Sequence, residues 1–276
     1  MIRWNQVSYQ KNSRYLLQDI SVDLPAGQLT VVLGPNGAGK STFLRLCSKD
    51  MQPSSGTIEL HGRDLQCWST EELARFRGVL SQSLPLSFPM EVMELVLMGR
   101  YPHKARKAMD QRDLEIVQEA LSNCKVQHLE KRSTQFLSGG EMQRVQTARV
   151  LTQIWEEHPQ HQRVLLLDEP TASLDPAYQH LCLMNAKKLA EKGVCVVAIL
   201  HDLNLAARYA DRIVFLKEGR LAGAGPVREM LRESMLEQVF AVNIRTVHDP
   251  RLAHPLIVTL GPLNTSITKE PKLRSL

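Results

Sequence analysis

No apolar run in this 276-residue sequence is longer than the seven residues of "VCVVAIL", far short of the roughly 20 that a membrane-spanning helix needs. The N-terminal "MIRWNQVSYQ" lacks the apolar core of a signal peptide. The expectation is therefore a chain neither secreted nor integral to a membrane. Cysteine is sparse: there are five, an odd number, with no C-x-x-C pair. That excludes a disulfide framework and reads as free, mostly buried thiols of a reducing compartment. Neither sign of charge dominates. The 34 basic and 29 acidic residues leave a mild +5, with no basic tract of five or more; such a surplus fits a nucleic-acid surface, the anionic face of a membrane or simply a lysine-rich surface. Aromatic residues make up only 5%, and internal repeats and low-complexity tracts are absent.

What the sequence does have is alternation. "ISVDL" places Ile20, Val22 and Leu24 at the period of a half-buried strand. "QLTVVLG" is a short β-branched run that passes directly into glycines and then into the helical pattern of "KSTFLRLCSK". "GTIELHG" and "GVLSQ" read as further strands. Between about Pro85 and Leu151 the apolar spacing becomes helical, as in "MEVMELVLMGR", "MDQRDLEIVQEALSNC" and "EMQRVQTARVLTQIW". Strand and helix then alternate again through "RVLLLDEP", a helix from Pro176, "VCVVAILH", a helix from Asp202 and "RIVFLKEGR". Buried strands alternating with helices imply a parallel sheet covered on both faces. The predicted class is α/β, with a P-loop core of parallel strands, an N-terminal antiparallel β subdomain and an inserted helical subdomain. The expected boundaries are 1–84 and 156–240 for the core with its β subdomain, 85–155 for the insert, and 241–276 for a C-terminal extension whose end, "GPLNTSITKEPKLRSL", reads as a frayed tail.

The stretch "GPNGAGKST" (34–42) follows a predicted strand and opens a helix, the context that gives G-x4-G-K-S its meaning. Gly34, Pro35, Asn36, Gly37, Ala38 and Gly39 can curl so that successive N–H groups point at phosphate oxygens, and the helix start adds partial positive charge. Lys40 reaches the outer phosphates, Ser41 is placed to ligate Mg²⁺, and Thr42 to hold an inner phosphate. "RVLLLDEP" delivers Asp168 and Glu169 to the C-terminal end of a buried strand, the edge where open α/β sheets bind ligands. Asp168 suits the water shell of Mg²⁺, and Glu169 the attacking water. His201 closes a third strand. A lone histidine there is usually structural, but beside the other two strands it becomes a candidate γ-phosphate sensor. Gln82 holds a similar position and could ligate the metal or a water.

A second helix start, "LSGGEMQR" from Leu137, also offers backbone amides to a phosphate, although the chain already has a better loop. Order and spacing resolve this. "GPNGAGKST", Gln82, "LSGGE" (137–141), "VLLLDE" (164–169), "SLD" (173–175) and "HD" (201–202) together resemble the ATP-binding cassette ATPases over about residues 1–240. The resemblance implies that two copies pack head to tail, each ATP lying between the phosphate loop of one and the signature helix of the other. Ser138, Gly139 and Gly140 would then serve the partner's nucleotide, Asp175 would act across the dimer, Gln82 would sense the transport partner, and His201 would be the switch histidine. An aromatic near the N-terminus stacks on adenine in this family; Tyr9 is the candidate and Tyr15 the runner-up. The commonest signature has Gln where this chain has Glu141. Ser138-x-x-Glu141 is also a capping box, so Glu141 either simply caps the helix or tunes the closed state.

"LSFPMEVMELVLMGRYPHKA" (86–105) is similar to the permease-contacting segment of the importers of iron chelates, haem and cobalamin. The lengthened "WEEHPQHQR" loop and "LDPAYQH" resemble the haem-importing members in particular. His158 and His161 are read as part of a solvated loop extension, not as a haem or metal site. The resemblance implies ATP hydrolysis with Mg²⁺ that powers inward transport. It also implies a second copy of the chain, a separate integral-membrane permease dimer, a periplasmic haem-binding protein acting indirectly, no nucleic acid, and a peripheral position on the cytoplasmic face of the bacterial inner membrane.

Overall fold

The protein is described here by a computed structural model covering residues 1–81, 88–104 and 108–263. Two long strands, β1 (Ile2–Lys11) and β2 (Arg14–Leu24), pair antiparallel. They lead to β3 (Leu29–Leu33), whose five residues are all buried, and to α1 (Lys40–Cys47). Strands β4 (Ser55–Leu60) and β5 (Arg63–Asp64) join β1 and β2 in a four-stranded antiparallel sheet of order β2-β1-β4-β5. After the short α2 (Thr70–Ala74), β6 (Arg77–Leu80) returns the chain to the main sheet.

A helical stretch follows: α3 (Val92–Leu97), α4 (Tyr101–Lys104), α5 (Gln111–Asn123) and α6 (Gly139–Gln153). Then come β7 (Val164–Asp168), α7 (Pro176–Glu191), β8 (Cys195–Ile199), α8 (Leu203–Tyr209), β9 (Arg212–Lys217) and β10 (Arg220–Pro226). The last elements are α9 (Val227–Met230), α10 (Glu233–Phe240), β11 (Val242–Val247) and β12 (Leu256–Pro262). Pairing of β11 with β12 is antiparallel. This hairpin replaces part of the expected tail: Gly261 and Pro262 end β12, while 264–276 lie outside the described residues.

The main sheet has the order β10-β9-β3-β8-β7-β6. Its β9, β3, β8, β7 and β6 are parallel and only β10 runs antiparallel, as the α/β expectation requires. Successive strand residues point to opposite faces, and both faces are covered. Val32, Leu166, Val197 and Val214 pack with α1 and the antiparallel sheet, where Trp4 stacks on Phe43 at 4.2 Å. Val31, Leu165, Val196 and Phe215 pack instead with the helical stretch, α7 and the C-terminal elements. All five cysteines are free; Cys47, Cys124 and Cys195 are buried, Cys182 is half-buried and Cys67 exposed.

The C-terminal end of α6 is fastened from several sides. Thr152 Oγ1 donates to Val96 O (3.1 Å), Arg100 Nη1 to Thr152 O (2.9 Å), and Gln153 Nε2 to Ala74 O and Arg77 O (2.9 and 3.0 Å). Arg100 also pairs with Asp113 (3.0 Å) and Glu156 (2.6 Å). A Cβ on Gly99 would meet Thr152 Oγ1 at 2.1 Å and Arg149 O at 2.2 Å, so no larger residue fits this crossing. Gly99→Ala is expected to cost about 2 kcal/mol by overpacking, lowering the thermal midpoint by roughly 4–8 °C in calorimetry. An unchanged midpoint would show that the crossing is not tightly closed.

Candidate nucleotide site

Three adjacent strands of the sheet, β3, β8 and β7, end on one edge and deliver the predicted groups together. The loop after β3 curls because Gly34 takes φ +154°, where a Cβ would lie 2.1 Å from Leu216 O, and because Gly39 takes φ +98° as it opens α1. No side chain caps that helix start, which leaves its first amides to an anion. Lys40 lies across the loop, donating from Nζ to Gly34 O (2.7 Å) and Pro35 O (3.0 Å). It is 6% exposed. Burial holds its ammonium pKa below the usual lysine value, against the opposing charges of Glu169 and Asp168. Ser41 and Thr42 follow on the same first turn, half-buried.

Asp168 ends β7 in register with Ile199 of β8, so Glu169 and His201, just beyond, come face to face. His201 Nε2 lies 2.7 Å from Glu169 Oε1, with the ring nitrogen donating to the carboxylate. Glu169 takes φ +50°, a conformation that non-glycine residues adopt sparingly and that concentrates at functional sites. Asp168 is buried, and its Oδ1 has no hydrogen-bond partner. Burial, then the neighbouring charge of Glu169, raises its carboxyl pKa. An orphaned buried carboxylate oxygen beside a phosphate loop is what a hydrated divalent cation would satisfy. Among the described residues no three His, Cys, Asp or Glu side chains are placed to hold a metal by themselves, so a cation here would share its shell with the phosphates. Gln82 lies outside the described residues.

Tyr9 is half-buried and is the cross-strand partner of Leu17, whose Cδ2 would touch a Cβ on Gly39 at 2.6 Å. Tyr15 pairs with Gln10 and is 50% exposed. Tyr9 is thus one contact from the phosphate loop.

Ser138, Gly139, Gly140 and Asp175 are not brought to this loop. Ser138 is the exposed N-cap of α6, in a complete capping box with Glu141. Asp175 is the exposed N-cap of α7, accepting from Tyr178 N at 3.1 Å. The α6 start packs on the segment before α7, where a Cβ on Gly140 would lie 3.1 Å from Ser173 O. Among the described residues, no hydrogen bond joins 138–141 to 34–42. One neighbour falls outside every motif: Arg132, whose Nη1 is 3.7 Å from Glu141 Oε1.

The "HPQH" loop departs from its expected solvated state. His161 stacks on His61 (5.5 Å) and on His158 (5.0 Å), against Phe76 and Trp68. Burial, with the N-terminal charge and the other two histidines, lowers the His61 pKa to about 4. It therefore packs as a neutral ring near pH 7.

The profile of the ABC transporter family matches residues 17–172. The hemin import ATP-binding protein HmuV of Gloeobacter violaceus is 43% identical over 261 residues, 95% of this chain and 94% of that protein. That of Pseudomonas entomophila is 44% identical, over 91% and 96% of the two chains. Among solved structures, an ABC transporter assigned to the metal-chelate type, in an inward-facing conformation, superposes with a TM-score of 0.77 at 26% identity, covering 94% of this chain and 96% of that one. A dimeric ATP-binding cassette in a post-hydrolysis state with ADP and phosphate gives 0.70 at 26%, covering 83% and 99%. With a family profile over more than half of its length and relatives above 40% identical over nearly all of it, the chain belongs to the ABC transporter family of ATP-binding cassettes.

Proposed function

We propose that this chain is the ATP-hydrolysing subunit of a haem importer, working as a pair on the cytoplasmic face of a separate permease dimer in the bacterial inner membrane. The observation that carries the reading is the division of the site. Lys40, Asp168, Glu169 and His201 share one edge, while Ser138 and Asp175 are exposed and, among the described residues, their side chains bond only within their own helix starts. A site split this way is completed by a second copy, with Ser138, Gly139, Gly140 and Asp175 reaching the partner's ATP.

In that arrangement the amides of 34–42 and Lys40 hold the phosphates and offset the charge that builds up during transfer. Glu169 orients the attacking water and takes its proton, and His201 fixes the carboxylate by the bond it already makes. Tyr9 offers its ring to adenine. Mg²⁺ would be held by Ser41 and Asp168, with Gln82, and would supply charge neutralisation at the phosphate oxygens. The helical region within 85–155 would face the permease. Loss of the γ-phosphate removes the contact that favours the closed pair.

The substrate rests on the hemin-import names of relatives that match nearly the whole chain, and a periplasmic haem-binding protein would deliver it. Proteoliposomes holding the permease with this subunit are expected to take up haem only with ATP, and to fail with Lys40→Ala. Uptake of an iron–siderophore chelate or cobalamin in preference to haem would reassign the substrate. Failure to co-purify with any permease would sink the transport reading.

A further inference from the structure

We infer that Glu141 is a positioning residue that withholds the signature serine, so that its charge sets how much ATP the closed pair requires. The inference rests on the proposal that Ser138 serves the partner's nucleotide. Glu141 Oε2 accepts from both Ser138 N (2.7 Å) and Ser138 Oγ (2.8 Å), and Glu141 N donates back to Ser138 Oγ at 3.3 Å. Both hydrogen-bonding directions of the hydroxyl are thus used inside its own chain. A γ-phosphate oxygen arriving from the partner must take the Ser138 hydroxyl proton from a carboxylate, and hydrogen bonds to ionised acceptors are the stronger kind.

The second effect is electrostatic. The start of α6 attracts anions through its dipole, but this helix brings its own anion in its first turn. Glu141 is held ionised by the backbone and side-chain bonds from Ser138, with Arg132 and Arg144 adding to the effect. A fixed negative charge three residues from the serine opposes a second one arriving there. Arg132, at 3.7 Å from Glu141, offsets part of that charge, and the turn segment carrying it is tied to the start of α3 by Val92 N to Arg132 O (3.1 Å) and Met93 N to Glu130 O (2.9 Å).

Glutamine at this position keeps the capping box, since its amide oxygen also accepts from the N-cap amide, but it lacks the charge and is the weaker acceptor. The test uses the full chain in a Glu169→Gln background. Dimer formation is followed by light scattering as ATP is raised, with thermal unfolding as the check on folding. Glu141→Gln is expected to lower the ATP concentration at half-maximal dimer about two- to fivefold, and the gap should narrow as salt is added. Ser138→Arg in the same background separates the two ideas. If Ser138→Arg abolishes the dimer while Glu141→Gln leaves the ATP requirement unchanged or raises it, the inference is overturned and the split-site reading stands. If Ser138→Arg leaves the dimer intact, the split-site reading itself fails and the inference falls with it.

Discussion

Glu169→Gln is expected to bind ATP and keep it, with turnover down by at least about 100-fold, the lower end of what a positioned general base contributes. The substitution preserves size and leaves an oxygen to accept from His201, whose ring nitrogen now sits 2.7 Å from the carboxylate, so the geometry of the edge should survive. What is lost is the proton acceptor. Binding should be unchanged or tighter, because Glu169 is among the charges that raise the neighbouring Asp168 carboxyl pKa. Removing it eases ionisation of Asp168 for a cation and removes one negative charge from beside a polyanion. Phosphate release and the oligomeric state with ATP check this together: a stable ATP-bound pair with little phosphate produced is the expected result. Turnover within a few-fold of the unmodified protein would show that Glu169 is not the group that handles the water.

The second large effect is expected at the other end of the split site. Ser138→Arg should leave ATP binding by the single chain nearly intact yet abolish hydrolysis, because Ser138 is exposed and makes no hydrogen bond to the phosphate loop of its own chain. The folding cost is that of an N-cap, about 1 kcal/mol, whereas a bulky cation at a close-approach surface blocks assembly. Nucleotide binding by fluorescence titration, set beside steady-state hydrolysis, separates the cases. Weakened binding in the single chain would place the signature in its own chain's site. Near-normal hydrolysis would show that no second copy is needed.

The phosphate edge was legible because its chemistry restricts the residues. Only glycine tolerates Gly34's backbone 2.1 Å from a carbonyl oxygen, measured to where a Cβ would sit, and the five-residue strands buried on both faces are written mostly in Val and Leu. The signature helix was legible for a similar reason, since Ser138-x-x-Glu141 is a local pattern whose two partners are three residues apart. Distant partners were not legible. Nothing in "HPQH" announces that its rings pack on His61, Trp68 and Phe76, some 80–100 residues earlier. Arg132 carries no motif, and its role appears only once the chain places it beside Glu141. The β11–β12 hairpin went unread because its strands are separated by an eight-residue connection, longer than a two-residue hairpin turn, whose Asp249-Pro250 turn does not by itself announce a hairpin, and β12 ends in the Gly-Pro pair that opens a polar stretch.

The fastening of α6 at Thr152 and Gln153 makes that helix a lever. Its 15 residues reach about 22 Å at 1.5 Å per residue, with Gly99 pressed against the hinge end and Ser138 at the far one, where the helix start lies on the segment before α7. A tilt of about 10° at the hinge moves the serine by about 4 Å, more than the length of a hydrogen bond. A rigid tilt set where α3 and α4 meet the base of α6 would therefore be magnified at the place where a partner's phosphate would have to be met.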